Sequence, residues 1–134
     1  MKVIDKVLME TLMSEAEKSP RRRAHYNLHA SLEEPFHRLL VATMPDTVFP
    51  THRHGGGKWE LLTVLRGEIE ITVYEPDGKI VRTVSLTPGG DSAAIEIPVG
   101  YFHKTIVKTP SIFLEVKPGP YVPVGPEDIA EFDQ

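Results

Sequence analysis

His52-Arg53-His54-Gly55-Gly56-Gly57-Lys58-Trp59-Glu60-Leu61-Leu62-Thr63-Val64-Leu65-Arg66-Gly67 is the stretch on which the reading of this 134-residue chain turns. In extended backbone successive side chains alternate in direction, so His52 and His54 point to one side. Two imidazoles can hold a transition metal but do not complete its coordination. Glu60 offers a carboxylate oxygen where the next apolar run begins, and Arg66-Gly67 closes that run. About forty positions on, Pro98-Val99-Gly100-Tyr101-Phe102-His103 makes a turn followed by a further histidine. With six histidines in the chain, a His-x-His pair alone means little. The joint pattern carries the weight: pair, carboxylate, closing glycine, then Pro-x-Gly-x-x-His. It points to one divalent transition ion (Fe, Mn, Ni or Zn) on His52, His54, His103 and Glu60, a donor set those metals accept.

Outward from this stretch, the chain reads as short apolar runs separated by turns. Twelve prolines and ten glycines punctuate it, which is a β-rich signature. Strands are expected near Phe36–Met44, Trp59–Leu65, Glu68–Tyr74, Lys79–Leu86, Ala93–Ile97, Lys104–Lys108 and Ile112–Lys117. Glu68–Tyr74 alternates most cleanly, with Ile69, Ile71 and Val73 facing a core and Glu68, Glu70, Thr72 and Tyr74 facing water. Glu75-Pro76-Asp77-Gly78 has the residues of a hairpin turn. One long helix is expected over residues 3–18, where Val3, Ile4, Val7, Leu8, Leu12 and Met13 recur at helical spacing. Its stripe suits either docking on the sheets or a subunit contact. A short helix is expected after Pro126, where proline and acids open it.

Composition narrows the function. The length fits one domain with a real core. A net charge of −4 argues against a general nucleic-acid binder. No cysteine is present, so neither a disulfide nor a thiolate site forms, which suits a reducing cytoplasm. No run approaches the ~20 apolar residues of a membrane span. Neither a Ser-His-acid set nor a phosphate-binding glycine loop stands out.

The two motifs resemble those of the cupin superfamily. His52, His54, Glu60 and Gly67 match its first motif, and Pro98, Gly100 and His103 match its second. The chain departs from that pattern in three places. Five residues separate His54 from Glu60, Asp46 stands where a glycine is usual, and Val107 replaces a trailing asparagine. The wider gap leaves Glu60 open between ligating the metal and orienting a ligand. More narrowly, Arg21–His29, His52–His54 with Lys58–Glu60, and Glu115–Tyr121 make the chain similar to the WbuC-type cupin metalloproteins of bacterial surface-polysaccharide gene clusters.

That resemblance implies an all-β fold, a single small antiparallel barrel or jelly roll, and a bound metal; it names no reaction. Residues 1–19 would be the helix, 20–118 the barrel and 119–134 a tail. The function expected is binding of, or action on, a small polar metabolite such as a sugar or sugar nucleotide. Isomerase, epimerase and oxygenase chemistry are the enzyme classes, and a non-catalytic sensor or carrier is the alternative. Arg22, Arg23, His25, His29, Lys58 and Glu115 are the candidate contacts to a small anionic or polyhydroxy ligand. Arg21 to Arg23 read equally as a solvated charge run at a helix end. A homodimer is expected because open sheet edges need covering.

Overall fold

The computed structural model describes residues 1–133. Helix α1 (Lys6–Lys18) precedes eight strands: β1 (Arg23–Asn27), β2 (Phe36–Thr43), β3 (Glu60–Arg66), β4 (Ile69–Tyr74), β5 (Ile80–Leu86), β6 (Ala94–Ile97), β7 (Phe102–Val107) and β8 (Ser111–Pro118). They form a five-stranded sheet in the order β1-β2-β8-β3-β6 and a three-stranded sheet in the order β5-β4-β7. All pairings are antiparallel. The fold is therefore mostly β, as the turn-rich sequence indicates.

Period-two alternation decides what each sheet face meets. On β2, Leu39 and Val41 enter the core between the sheets, with Leu62, Val64, Ile69, Ile71, Val73, Val107 and Phe113. The intervening Leu40 and Ala42 pack on the other face against α1. Strand β2 is thus buried on both sides, which explains its unbroken apolar run.

Helix α1 docks on that outer face through Leu8, Leu12, Met13 and Ala16. Leu12 is only 2% exposed, and burying such a side chain contributes about 1.5–3 kcal/mol. The helix starts later than the apolar spacing suggests. Asp5 is its N-cap, accepting a hydrogen bond from the Leu8 N–H at 2.9 Å, so Val3 and Ile4 fall before it. Val3 and Val7 stay outside the packed stripe, 66% and 72% exposed. Ser19 ends the helix, and Asp46 and Glu17 hold Arg22 beside it.

The three-stranded sheet departs from the reading at one residue. Ile69, Ile71 and Val73 do face the core, but Tyr74 is buried rather than solvated. The pairing of β4 with β5 shifts register between Val73 and Tyr74, which turns that side chain off the alternation. It packs with Phe102 and Ala130, and its ring lies 5.1 Å from that of Phe132. The C-terminal segment folds back to supply these partners. Its expected short helix is a single 3₁₀ turn, Pro126–Asp128, opened by the proline. Among the described residues no helix is long and apolar enough to cross a membrane.

Candidate metal centre

The two sheets meet where the histidine pair lies. His52 and His54 sit on the connection between β2 and β3 rather than within a regular strand. His52 forms an isolated antiparallel bridge with His103. The His52 N–H donates to the His103 carbonyl at 3.1 Å, and the His103 N–H donates back at 2.8 Å. This link stitches the loop to β7 of the smaller sheet. Gly100, at φ 90°, makes the turn that starts β7 on the way to His103. Glu60 opens β3 in the larger sheet, and its partner strand β8 presents Glu115. One cluster therefore draws on both sheets and a loop, although its residues span positions 52 to 115.

The donor atoms converge. His52, His54 and His103 form one group whose ligating atoms lie within 4.8 Å of one another, and His54, Glu60 and Glu115 form a second. The Glu60 Oε2 lies 2.6 Å from His54 Nε2 and 3.3 Å from His103 Nε2. Two donors about 2.1 Å from a common metal, between a right angle and a tetrahedral angle apart, are separated by roughly 3.0–3.4 Å. The observed spacings are close to that range, so a small shift seats a cation. His52 donates its Nδ1–H to the Pro50 carbonyl at 2.7 Å, which leaves Nε2 with a free lone pair. His103 Nδ1 is a buried nitrogen with no hydrogen-bond partner among the described residues. The residues present fit a divalent transition ion.

Electrostatics agree with the geometry. Burial lowers the pKa of His52 and His103, so both are neutral and ready to ligate. Glu60 is fully enclosed; burial pushes its carboxyl up, but hydrogen bonds from Glu115 and His54 outweigh that and hold it ionised. Burial, and then the charge of Glu60, push Glu115 up to about 7. Glu115 is thus the acid of the pair that carries the proton. Lys117, 3.4 Å from Glu115, is the nearest balancing cation.

A pH dependence of metal binding follows. At pH 6 Glu115 is mostly protonated, and an arriving cation favours its ionised form, so the proton must leave. Metal affinity should rise roughly tenfold between pH 6 and pH 8, one proton's worth of linkage across a pKa near 7. Burial lowers the pKa of His52 and His103, so each adds less slope than an ordinary imidazole would. Glu115→Gln should flatten the profile in a chelator-competition titration; an unchanged slope in that variant would exclude Glu115 as its source.

The site opens into a cavity of about 270 Å³. Its wall includes the three histidines and Glu60, and also Arg21, Arg23, His25, Glu115 and Lys117. Arg23, His25 and Glu115 were candidates from the sequence, while Arg21 and Lys117 were missed. Strand alternation could have found both: Arg21, Arg23 and His25 share one parity, as do Phe113, Glu115 and Lys117.

The same parity corrects Arg22. It points to the helix side, paired with Asp46 at 3.0 Å and with the Glu17 carbonyl, and does not line the cavity. Its φ of 60° marks the bend where the chain leaves α1. Lys58 also lies off the cavity, held by the Pro120 carbonyl. His29 falls beyond the end of β1. It is buried, stacked on His37 with ring centroids 4.2 Å apart, and faces a neighbouring cavity.

Comparison with known proteins adds the fold. A family model described as a domain of unknown function (DUF6016) matches residues 4–86. No curated protein matches the chain. Among solved structures, the chain is similar to KdgF from Halomonas sp., at 16% identity and TM-score 0.59, covering 78% of this chain and 83% of that one. It is similar to a cupin_2 domain of an XRE-family transcriptional regulator from Enterobacter cloacae, at 18% identity and TM-score 0.55, covering 74% and 98%. It also matches Bacillus subtilis oxalate decarboxylase, a protein with Mn(II) centres, at 14% identity and TM-score 0.58, covering 75% of this chain and 26% of that one. The fold is that of the cupins.

Proposed function

The chain belongs to the DUF6016 family, whose description assigns no function, and from that premise we propose that it is a metal-dependent protein for a small anionic metabolite. In this reading His52, His54, His103 and Glu60 hold one divalent ion, and the ligand enters through the adjoining cavity. The observation that carries the proposal is the convergence of that donor set with Arg21, Arg23 and Lys117 on one wall. When bound, the ion supplies Lewis-acid polarisation of a ligand oxygen.

The remaining work falls to the chain's own side chains. Arg23 is not a solvated charge. Its guanidinium lies 4.7 Å over the Phe49 ring and donates to the Val48 carbonyl at 3.0 Å, so it is held in place at the cavity. A fixed guanidinium suits a carboxylate or phosphate, which it can grip with two hydrogen bonds. Glu115, a half-buried acid with a pKa near 7, can hold or accept a proton beside the ion. That favours a proton-transfer enzyme, of isomerase or epimerase type, over a non-catalytic carrier. The narrower likeness to WbuC-type cupins of surface-polysaccharide metabolism fits the same reading.

The test is calorimetric titration of metal-loaded protein with citrate, phosphate and a sugar phosphate. Arg23→Gln should weaken at least one of them tenfold or more, the scale of a lost charge-assisted hydrogen bond. If every affinity stays within twofold of the parent, the anion-site reading fails.

We keep a homodimer as part of the proposal. Val7 on α1 and Val3 just before it are exposed apolar side chains, and β1, β5, β6 and β7 are edge strands of their sheets. Light scattering at micromolar concentration should give twice the chain mass; a 15.0 kDa particle would refute it.

A further inference from the structure

A second cavity of about 290 Å³ adjoins the first, and His25, Glu115 and Lys117 are common to the walls of both. Each volume alone lies just below the ~300–1,000 Å³ typical of small-molecule sites, whereas the two together fall inside it. Their chemistry differs. The metal-side chamber is lined by two arginines, Arg21 and Arg23. The second chamber has Lys117 as its one cation among the described lining residues, and Glu115 engages it at 3.4 Å.

The second chamber's other polar groups are placed by hydrogen bonds to backbone. His37 donates from Nε2 to the Leu32 carbonyl at 2.9 Å, which leaves Nδ1 as an acceptor. His29 Nδ1 lies 3.1 Å from the Arg38 N–H and 3.0 Å from the Arg38 carbonyl. The Arg38 N–H can only donate, so Nδ1 is its acceptor and Nε2 carries the proton. The stacked imidazole pair, 8° from parallel, thus presents one donor and one acceptor on a fixed wall. Asn27 and Tyr121 add groups at the same chamber that both donate and accept. Paired donors and acceptors match hydroxyl groups, which need both, rather than a second anion.

We propose that these two chambers form one bipartite site for a polyhydroxylated carboxylic acid, with the acid group on the metal side and the hydroxylated chain beside His29, His37, Asn27 and Tyr121. This rests on the anion-site reading above, and it names the ligand class which that reading leaves open.

The experiment uses two probes on metal-loaded protein: glycolate, which fills only the metal side, and gluconate, a six-carbon polyhydroxy acid. The parent should bind gluconate at least tenfold more tightly than glycolate. Asn27→Ala combined with Tyr121→Phe should erase most of that advantage and leave glycolate within twofold. Both positions lie at the chamber rim, where substitution spares the core. A parent with no preference for gluconate, or a double variant that keeps it, overturns the bipartite site while glycolate binding still stands for the anion reading. If neither acid binds the metal-loaded parent, the anion reading fails and the bipartite site falls with it.

Discussion

His103→Ala should leave the purified protein without its metal, with less than a tenth of an equivalent after dialysis. His103 is 3% exposed, shares Glu60 with His54, and is the one proposed ligand contributed by the smaller sheet. Its loss leaves two imidazoles on one loop and a carboxylate, a set with no donor on the β7 side. Removing even the hydrogen-bond partners of metal ligands costs about 10–100-fold in affinity, so losing a ligand should cost more than about 100-fold. The folding control lies in the same molecule. His29 and His37 are as deeply buried, at 5% and 2%, but neither belongs to the convergent groups. Alanine at either position should lower the melting temperature yet leave a full equivalent bound in elemental analysis. Retention of a full equivalent by His103→Ala would remove it from the ligand set.

Much of this site was legible in the chain because strand chemistry writes it in steps of two. The apolar alternation of Ile69, Ile71 and Val73 gave the inner face of β4 directly. The same rule, applied to Arg21, Arg23 and His25, separates the cavity-facing arginines from Arg22. Treating the three arginines as one charge run obscured it. Glu60 was left open by its wider spacing from His54, and the reason is local. Gly56 and Gly57, at φ 75° and 68°, coil the intervening loop so that extra length does not become extra distance. What spacing could not reveal was the approach of β8. Glu115 reaches the donor set because β8 pairs with β3, a contact between positions more than fifty apart. Tyr74 failed for a similar reason, since its partners arrive from the C-terminal segment through a register shift no local pattern signals.

Gly67→Ala should destabilise the protein by about 2–5 kcal/mol, the sum of a backbone and a packing cost. Gly67 closes the stretch that opens with His52, and its φ of 84° lies where a residue with a Cβ pays about 1–2 kcal/mol. Space is the second obstacle. An added Cβ would overlap Ser111 Oγ and the Pro110 carbonyl, and would lie 2.8 Å from Ser111 Cα. None of these can retreat. Ser111 is fully buried, exchanges hydrogen bonds with the Glu68 backbone at 3.0 and 3.2 Å, and begins β8 between β2 and β3. Overpacking of this kind costs about 1–3 kcal/mol. Gly89 separates the two contributions, because its φ of 71° imposes the same backbone strain while nothing lies within 4 Å of its Cβ position. Gly89→Ala should lose only about 1–2 kcal/mol. Urea denaturation of both variants measures the difference. Equal losses would mean that strain alone fixes glycine at 67, and that the close approach of β8 beneath the turn after β3 has no energetic consequence.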